Sequence, residues 1–108
     1  MQITDLPKGN WTVFKLDGKI DNEGAEILQT KLVPLLIGGK IALDFTKVEY
    51  VTSSGFRVLM VALREQTAKG GRLLLGSMTK DVSRYFEIAG LHTYFKLVPD
   101  IYTVVDAG

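Results

Sequence analysis

Val48-Glu49-Tyr50-Val51-Thr52-Ser53-Ser54-Gly55-Phe56-Arg57-Val58-Leu59 is the stretch on which the fold turns. Its first half is β-rich, through Val48, Tyr50 and Val51. Its second half opens a helix that starts near Ser54 and runs to Ala68, with Gly70-Gly71 as its stop. Between them stand three consecutive hydroxyl residues. Ser and Thr oxygens accept the backbone N–H groups that a helix start leaves unpaired, so this is a strand-to-helix junction with a cap. One hydroxyl is enough for a cap. A further one facing solvent would lie beside free N–H donors and the positive end of the helix dipole, a setting that suits phosphate. The helix itself is dense in apolar residues, with Phe56 followed by Val58–Leu63. It is either a central helix buried on more than one side or one that leaves apolar surface for a partner.

Elements of the same two kinds alternate on either side. Trp11–Leu16 reads as a strand broken by Asp17-Gly18-Lys19, with an edge strand around Ile3 and Leu6 before it and Pro7-Lys8-Gly9-Asn10 as the turn. Asp21 or Asn22 caps a helix to about Leu36, with Ala25, Leu28, Leu32 and Leu35 on one stripe and Pro34 disturbing its end. Lys40–Phe45 is a buried strand, and Lys47–Val51 leads on toward the next helix. Arg72–Leu75 is a short strand. Ser77 or Thr79 caps a third helix that turns Val82, Tyr85, Phe86 and Ala89 inward and ends at Gly90. Thr93–Val98 is the last strand, and Pro99-Asp100 opens a short helix to Val105. Alternating strands and helices predict an α/β domain spanning 1–108, with a mixed, mostly parallel sheet flanked by about four helices.

Composition removes several functions. Thirteen basic and twelve acidic residues nearly cancel, so no broad electrostatic attraction to nucleic acid or membrane is expected. With no cysteine and one histidine, His92, neither disulfides nor a thiolate or multi-histidine metal site is expected. The longest uninterrupted apolar run, Val58–Leu63, is too short to span a bilayer, and Met1–Leu6 does not resemble a signal peptide. A cytoplasmic domain without membrane insertion or cofactor is the expectation. No nucleophile elbow, phosphate-binding loop or dinucleotide fingerprint occurs. A Ser53–His92 pair is the one conceivable catalytic arrangement, and it is disfavoured by a single distant histidine.

The order of motifs resembles the STAS domain family, the sulfate-transporter and anti-sigma-factor-antagonist fold, over nearly the whole length. Gly18-Lys19-Ile20-Asp21 is similar to the family's Gly-x-Leu/Ile-Asp before the first helix, and Ile41-Ala42-Leu43-Asp44-Phe45 with Val48 and Tyr50 to its central strand. Ser53-Ser54-Gly55-Phe56 is similar to the signature Asp-Ser-Ser/Thr-Gly-Leu. Gly70-Gly71 and Ala89-Gly90-Leu91, ahead of Tyr94-Phe95, match further landmarks.

The resemblance implies a regulator that is not an enzyme. It implies an anti-sigma factor/serine kinase as partner, Ser53 as the phosphorylated serine, a PP2C-type phosphatase that restores it, and Asp21 as the acidic residue beside the site. Thr52 stands where the family usually has Asp, and Arg57 where many members have Gly. The first change removes a negative charge beside Ser53. It keeps open the alternative of a STAS subunit of a lipid-transport ABC assembly, which needs no kinase. Ser54 is assigned to the cap. Arg57, Val61, Arg64 and Ala68 share a helical stripe. With Asp21, Thr52 and Ser54, its first three residues make the expected partner-binding face.

Overall fold

The structure is a computed structural model that describes residues 1–107. Its five strands form one sheet in the order β1-β2-β3-β4-β5. Strand β1 (Gln2–Lys8) turns at Gly9-Asn10 into β2 (Trp11–Ile20), antiparallel to it, with Gln2 opposite Asp17 and Lys8 opposite Trp11. Strands β3 (Lys40–Val51), β4 (Arg72–Gly76) and β5 (Lys96–Val98) then add in parallel, each one place further along. The expected mixed, mostly parallel sheet is therefore present, and so are four α-helices: α1 (Asn22–Ile27), α2 (Ser53–Ala68), α3 (Lys80–Ile88) and α4 (Ile101–Val105).

The strand alternation sorts side chains onto two faces. Phe14, Leu16, Ile41, Leu43, Leu73 and Leu75 face α1, α2 and α3, in the same cluster as Leu28, Leu59, Val82 and Phe86. Phe86 is its aromatic centre, meeting Phe45, Phe56 and Phe95 edge-on at 5.9, 5.0 and 5.9 Å. Trp11, Val13, Ala42 and Leu74 face the other way and pack on Ile101 and Val105 of α4. On that side the buried Asp44 accepts hydrogen bonds from the Thr46 N–H, the Thr46 hydroxyl and the Tyr102 hydroxyl, at 2.9, 2.6 and 2.6 Å. Burial, and then this bond to Asp44, push the Tyr102 phenol well above its ordinary pKa.

Several boundaries differ from the expectation. Asp17-Gly18-Lys19 does not break β2. The pairing with β3 shifts register between Lys15 and Asp17 and again between Gly18 and Ile20, and Gly18 takes φ +127°, open to glycine. The bulged strand thus reaches Ile20. The helix from Asn22 stays α-helical only to Ile27, widens into a π-turn over Leu28–Leu32 and tightens to a 3₁₀ turn over Val33–Leu35 at Pro34. The widened turn shifts the phase of the stripe. Ala25, Leu28 and Leu32 are buried as expected, but Leu36 is fully buried in place of Leu35, which is half exposed. Val82 and Phe86 face inward on α3, whereas Tyr85 and Ala89 lie on its exposed side. Thr79 is the cap of α3, accepting from the Val82 N–H at 3.2 Å. Ser77, at φ +58°, accepts instead from the Ile101 N–H at the start of α4. After Gly90 a 3₁₀ turn, Leu91–Thr93, occupies the start of the expected last strand, so β5 is only Lys96–Val98.

Helix α2 is fixed at both ends. At its C-terminal end the fully buried Gln66 accepts from the Gly38 N–H at 3.0 Å and donates to the carbonyls of Gly39 and Arg72 at 3.0 and 3.3 Å. At its start a Cβ on Gly55 would lie 2.5 Å from the Ile20 carbonyl oxygen and 2.7 Å from side-chain atoms of Ile20 and Val51. Gln66→Leu keeps much of the volume but leaves the Gly38 N–H unpaired, and is expected to cost about 1–3 kcal/mol. Gly55→Ala has backbone in its way and is expected to cost about the same, ~1–3 kcal/mol, by overpacking. Urea unfolding of both variants beside the parent measures these losses, and an unchanged midpoint for either removes that contact from the account.

Candidate functional site

Strands β2 and β3 end side by side, with Ile20 paired to Val51, and each feeds a helix at once. Asp21 caps α1: its carboxylate accepts from the Gly24 N–H at 2.9 Å and its carbonyl from the Ala25 N–H at 2.7 Å. Thr52 stands at the cap position of α2, but its side chain does not cap the helix. Its N–H and its hydroxyl both donate to the Ile20 carbonyl, at 3.0 and 3.2 Å. The two helix starts are therefore clamped to one another through the end of β2.

Ser53 is the first residue of α2, immediately after the junction. Its side chain is exposed, and its hydroxyl has no hydrogen bond among the described residues. Ser54, the expected cap, has a different role. It lies one residue inside the helix, and its hydroxyl donates to Asn22 Oδ1 on α1 at 2.5 Å. The first intrahelical bond of α2 runs from the Phe56 N–H to the Thr52 carbonyl at 2.9 Å, and the N–H groups ahead of it have no side-chain cap. The helix thus keeps its positive end open beside Ser53.

Around this point Asp21, Asn22, Glu23 and Thr52 line one shallow depression. Ala25, Glu26 and Gln29 line a second with Ser54, Arg57 and Val61. The structure so brings together Asp21, Thr52, Ser53 and Ser54 at the junction, with Arg57 and Val61 on the adjoining groove. Arg64 lies about two turns further along α2, exposed and outside the groove. Neither Arg57 nor Arg64 has an ion pair among the described residues, and Lys8–Asp106 at 3.6 Å lies elsewhere. Two participants escaped sequence reasoning. Asn22 counted only as a possible cap, and the Ile20 carbonyl is backbone, so no side-chain pattern announces it.

The arrangement exposes a hydroxyl without activating it. Among the described residues no base is hydrogen-bonded to Ser53, and His92 sits exposed on the turn beyond α3. Among the described residues no group of three or more His, Cys, Asp or Glu is placed to hold a metal ion. Among the described residues no helix is long and apolar enough to cross a membrane.

Known proteins share this architecture. The family model described as "Mlab, STAS domain" matches residues 7–99. The anti-sigma-B factor antagonist of Bacillus subtilis is 33% identical over 75 residues, covering 68% of this chain and 69% of that protein. The crystal structure of an anti-sigma factor antagonist from Mycobacterium paratuberculosis superposes with a TM-score of 0.83 at 18% identity, over 98% of this chain and 92% of the other. The unphosphorylated form of the anti-sigma factor antagonist SpoIIAA from Bacillus gives 0.74 at 20% identity, over 95% and 93%. With a family model spanning most of its length and the sheet and helices to match, the chain belongs to the STAS domain family.

Proposed function

We propose that the protein is a cytoplasmic anti-sigma factor antagonist that binds an anti-sigma factor/serine kinase, and that phosphate on Ser53 releases it. The carrying observation is the state of the three hydroxyls: Thr52 is bonded to Ile20, Ser54 to Asn22, and Ser53 is exposed and unbonded. That its relatives are anti-sigma factor antagonists supports the regulatory reading, and SpoIIAA has been solved in both unphosphorylated and phosphorylated forms. The binding face comprises Asp21, Thr52, Ser54, Arg57, Val61 and Arg64, a mixture of apolar area and arginine that suits an interface. A PP2C-type phosphatase completes the cycle by removing the phosphate. The domain itself is a binding module without catalytic activity.

Charge alone is sufficient for the switch. A phosphoserine adds about −1.5 to −2 charges at neutral pH. Placed ~5 Å from one acidic group of the partner, each unit charge is repelled by roughly 3 kcal/mol at an effective dielectric of ~20. Half of that weakens binding about tenfold. The fold does not have to change.

A second reading, a STAS subunit of a lipid-transport ABC assembly, is favoured by Thr52. Its uncharged hydroxyl is bonded to backbone and offers a kinase no negative charge.

Incubation with the serine kinase captured from the native cell and ATP, followed by mass spectrometry, is expected to place phosphate on Ser53. Ser53→Ala is expected to bind the partner constitutively and Ser53→Asp more weakly, by less than the full phosphate effect. Phosphate confined to Thr52 or Ser54 overturns the assignment. No phosphate at all, with a permease as the captured partner, turns the reading to transport. Thr52→Asp is expected to raise the phosphorylation rate, and a flat response makes Thr52 a neutral exchange. The face has its own check: Arg57→Glu with Arg64→Glu is expected to reduce partner affinity, and unchanged affinity in the folded double variant excludes that stripe.

A further inference from the structure

We propose that Asn22 selects the phosphorylated serine, by holding the Ser54 hydroxyl so that Ser53 is the free acceptor. The inference rests on the reading that this junction is phosphorylated, and it adds what decides between two adjacent serines. Ser53 and Ser54 are the first two residues of the same helix. Consecutive helical residues are separated by ~1.5 Å of rise and ~100° of rotation, so the two hydroxyls point differently but both lie at the end of the domain against which a kinase docks. Distance from the docking face therefore discriminates poorly between them. Hydrogen bonding discriminates well.

The transfer joins the serine oxygen to the γ-phosphorus of ATP, breaks the bond from that phosphorus to the β–γ bridging oxygen, releases ADP, and hands the hydroxyl proton to a base of the kinase. A serine must present both its oxygen and its proton to the enzyme. Ser54 directs its proton to Asn22 Oδ1 at 2.5 Å and is only partly exposed. Ser53 is exposed with no competing partner among the described residues. Thr52 is withdrawn in the same manner by the Ile20 carbonyl at 3.2 Å. Asn22 is itself well placed to hold its neighbour. It is the first residue of α1, directly after the Asp21 cap, and α1 is seated against the end of β2. Asn22 touches neither ATP nor the acceptor oxygen, so it is a positioning residue.

The test maps phosphate sites on the full chain after reaction with the captured serine kinase and ATP. In Asn22→Ala the ratio of phospho-Ser54 to phospho-Ser53 is expected to rise about tenfold, the factor that corresponds to ~1.4 kcal/mol and to the scale of one hydrogen bond. Asn22→Asp keeps an oxygen acceptor for Ser54 and is expected to leave the ratio at the parent value, whatever its added charge does to the overall rate. That pair of variants separates selection from general disturbance of α1. A second measurement needs no variant: the Ser54 hydroxyl proton is expected to exchange with water more slowly than that of Ser53 in nuclear magnetic resonance spectra. Ser53 as the sole site in Asn22→Ala overturns the selection while leaving the acceptor assignment intact. Equal exchange rates for the two hydroxyls in the parent overturn the lock itself. A parent chain with phosphate on neither serine overturns the acceptor reading and the selection together.

Discussion

One backbone carbonyl, that of Ile20, holds the junction of β2, α1 and α2 together. It accepts two hydrogen bonds from Thr52, and it is the atom that any side chain at position 55 would strike. The last residue of β2 and the first turn of α2 are therefore in direct register, and Gly55 is required by the close approach. This constraint also bears on the residue at position 52. A threonine hydroxyl donates to a carbonyl, whereas an ionised carboxylate is acceptor-only and cannot. The chain exchanges a charge beside Ser53 for a second bond in the clamp. The backbone bond from the Thr52 N–H does not depend on the side chain, so either residue type is compatible with the junction.

The clamp would position little if the far end of α2 were loose. Gln66 prevents this by binding the Gly38-Gly39 loop with both ends of its amide, while Lys69 donates to the Leu36 carbonyl. Between the two anchors Val58, Leu59 and Ala62 are buried, and Phe56 sits against Phe86. A helix held at both ends and packed along one side keeps its outer stripe in a fixed relation to Ser53. Arg57, Val61 and Arg64 are so displayed as a rigid surface on a regular element, where positions are held more closely than on a loop.

The alternation of strands and helices, the mixed sheet and the helix start at the hydroxyl triplet were all legible in the sequence, because each depends on local pattern. What was not legible depends on pairing across the chain. Gly18 looks like a breaker, yet a bulge against β3 absorbs it. A strict helical repeat predicts Leu35 in the core, but the π-turn over Leu28–Leu32 moves the phase, and Leu36 is buried in its place. Ser54 next to a glycine looks like a cap, while its actual partner is Asn22, distant in sequence. Tyr85 follows the apolar stripe of α3 but lies on its shoulder, because Val82 and Phe86 suffice to fill the contact with the sheet. In each case the residue type was right for an element and the tertiary neighbour decided its role.

The topology explains why this end of the sheet presents a surface and not a cleft. In open parallel sheets, ligand crevices form outside the carboxyl ends of strands where the strand order reverses, since helices there depart to opposite faces. Here β2, β3, β4 and β5 follow one another without reversal. Helices α1, α2 and α3 accordingly pack on a single face, and only the short α4 covers the other. Between α1 and α2 lies a shallow groove, lined by Ala25 and Glu26 on one side and Arg57 and Val61 on the other. Their starts converge, joined by Ser54–Asn22 and backed by the Ile20 carbonyl. What remains at the carboxyl ends is a set of shallow depressions with Ser53 exposed beside them. A protein-sized partner can cover such a surface. On the proposed reading, phosphate on Ser53 changes the charge of the whole contact.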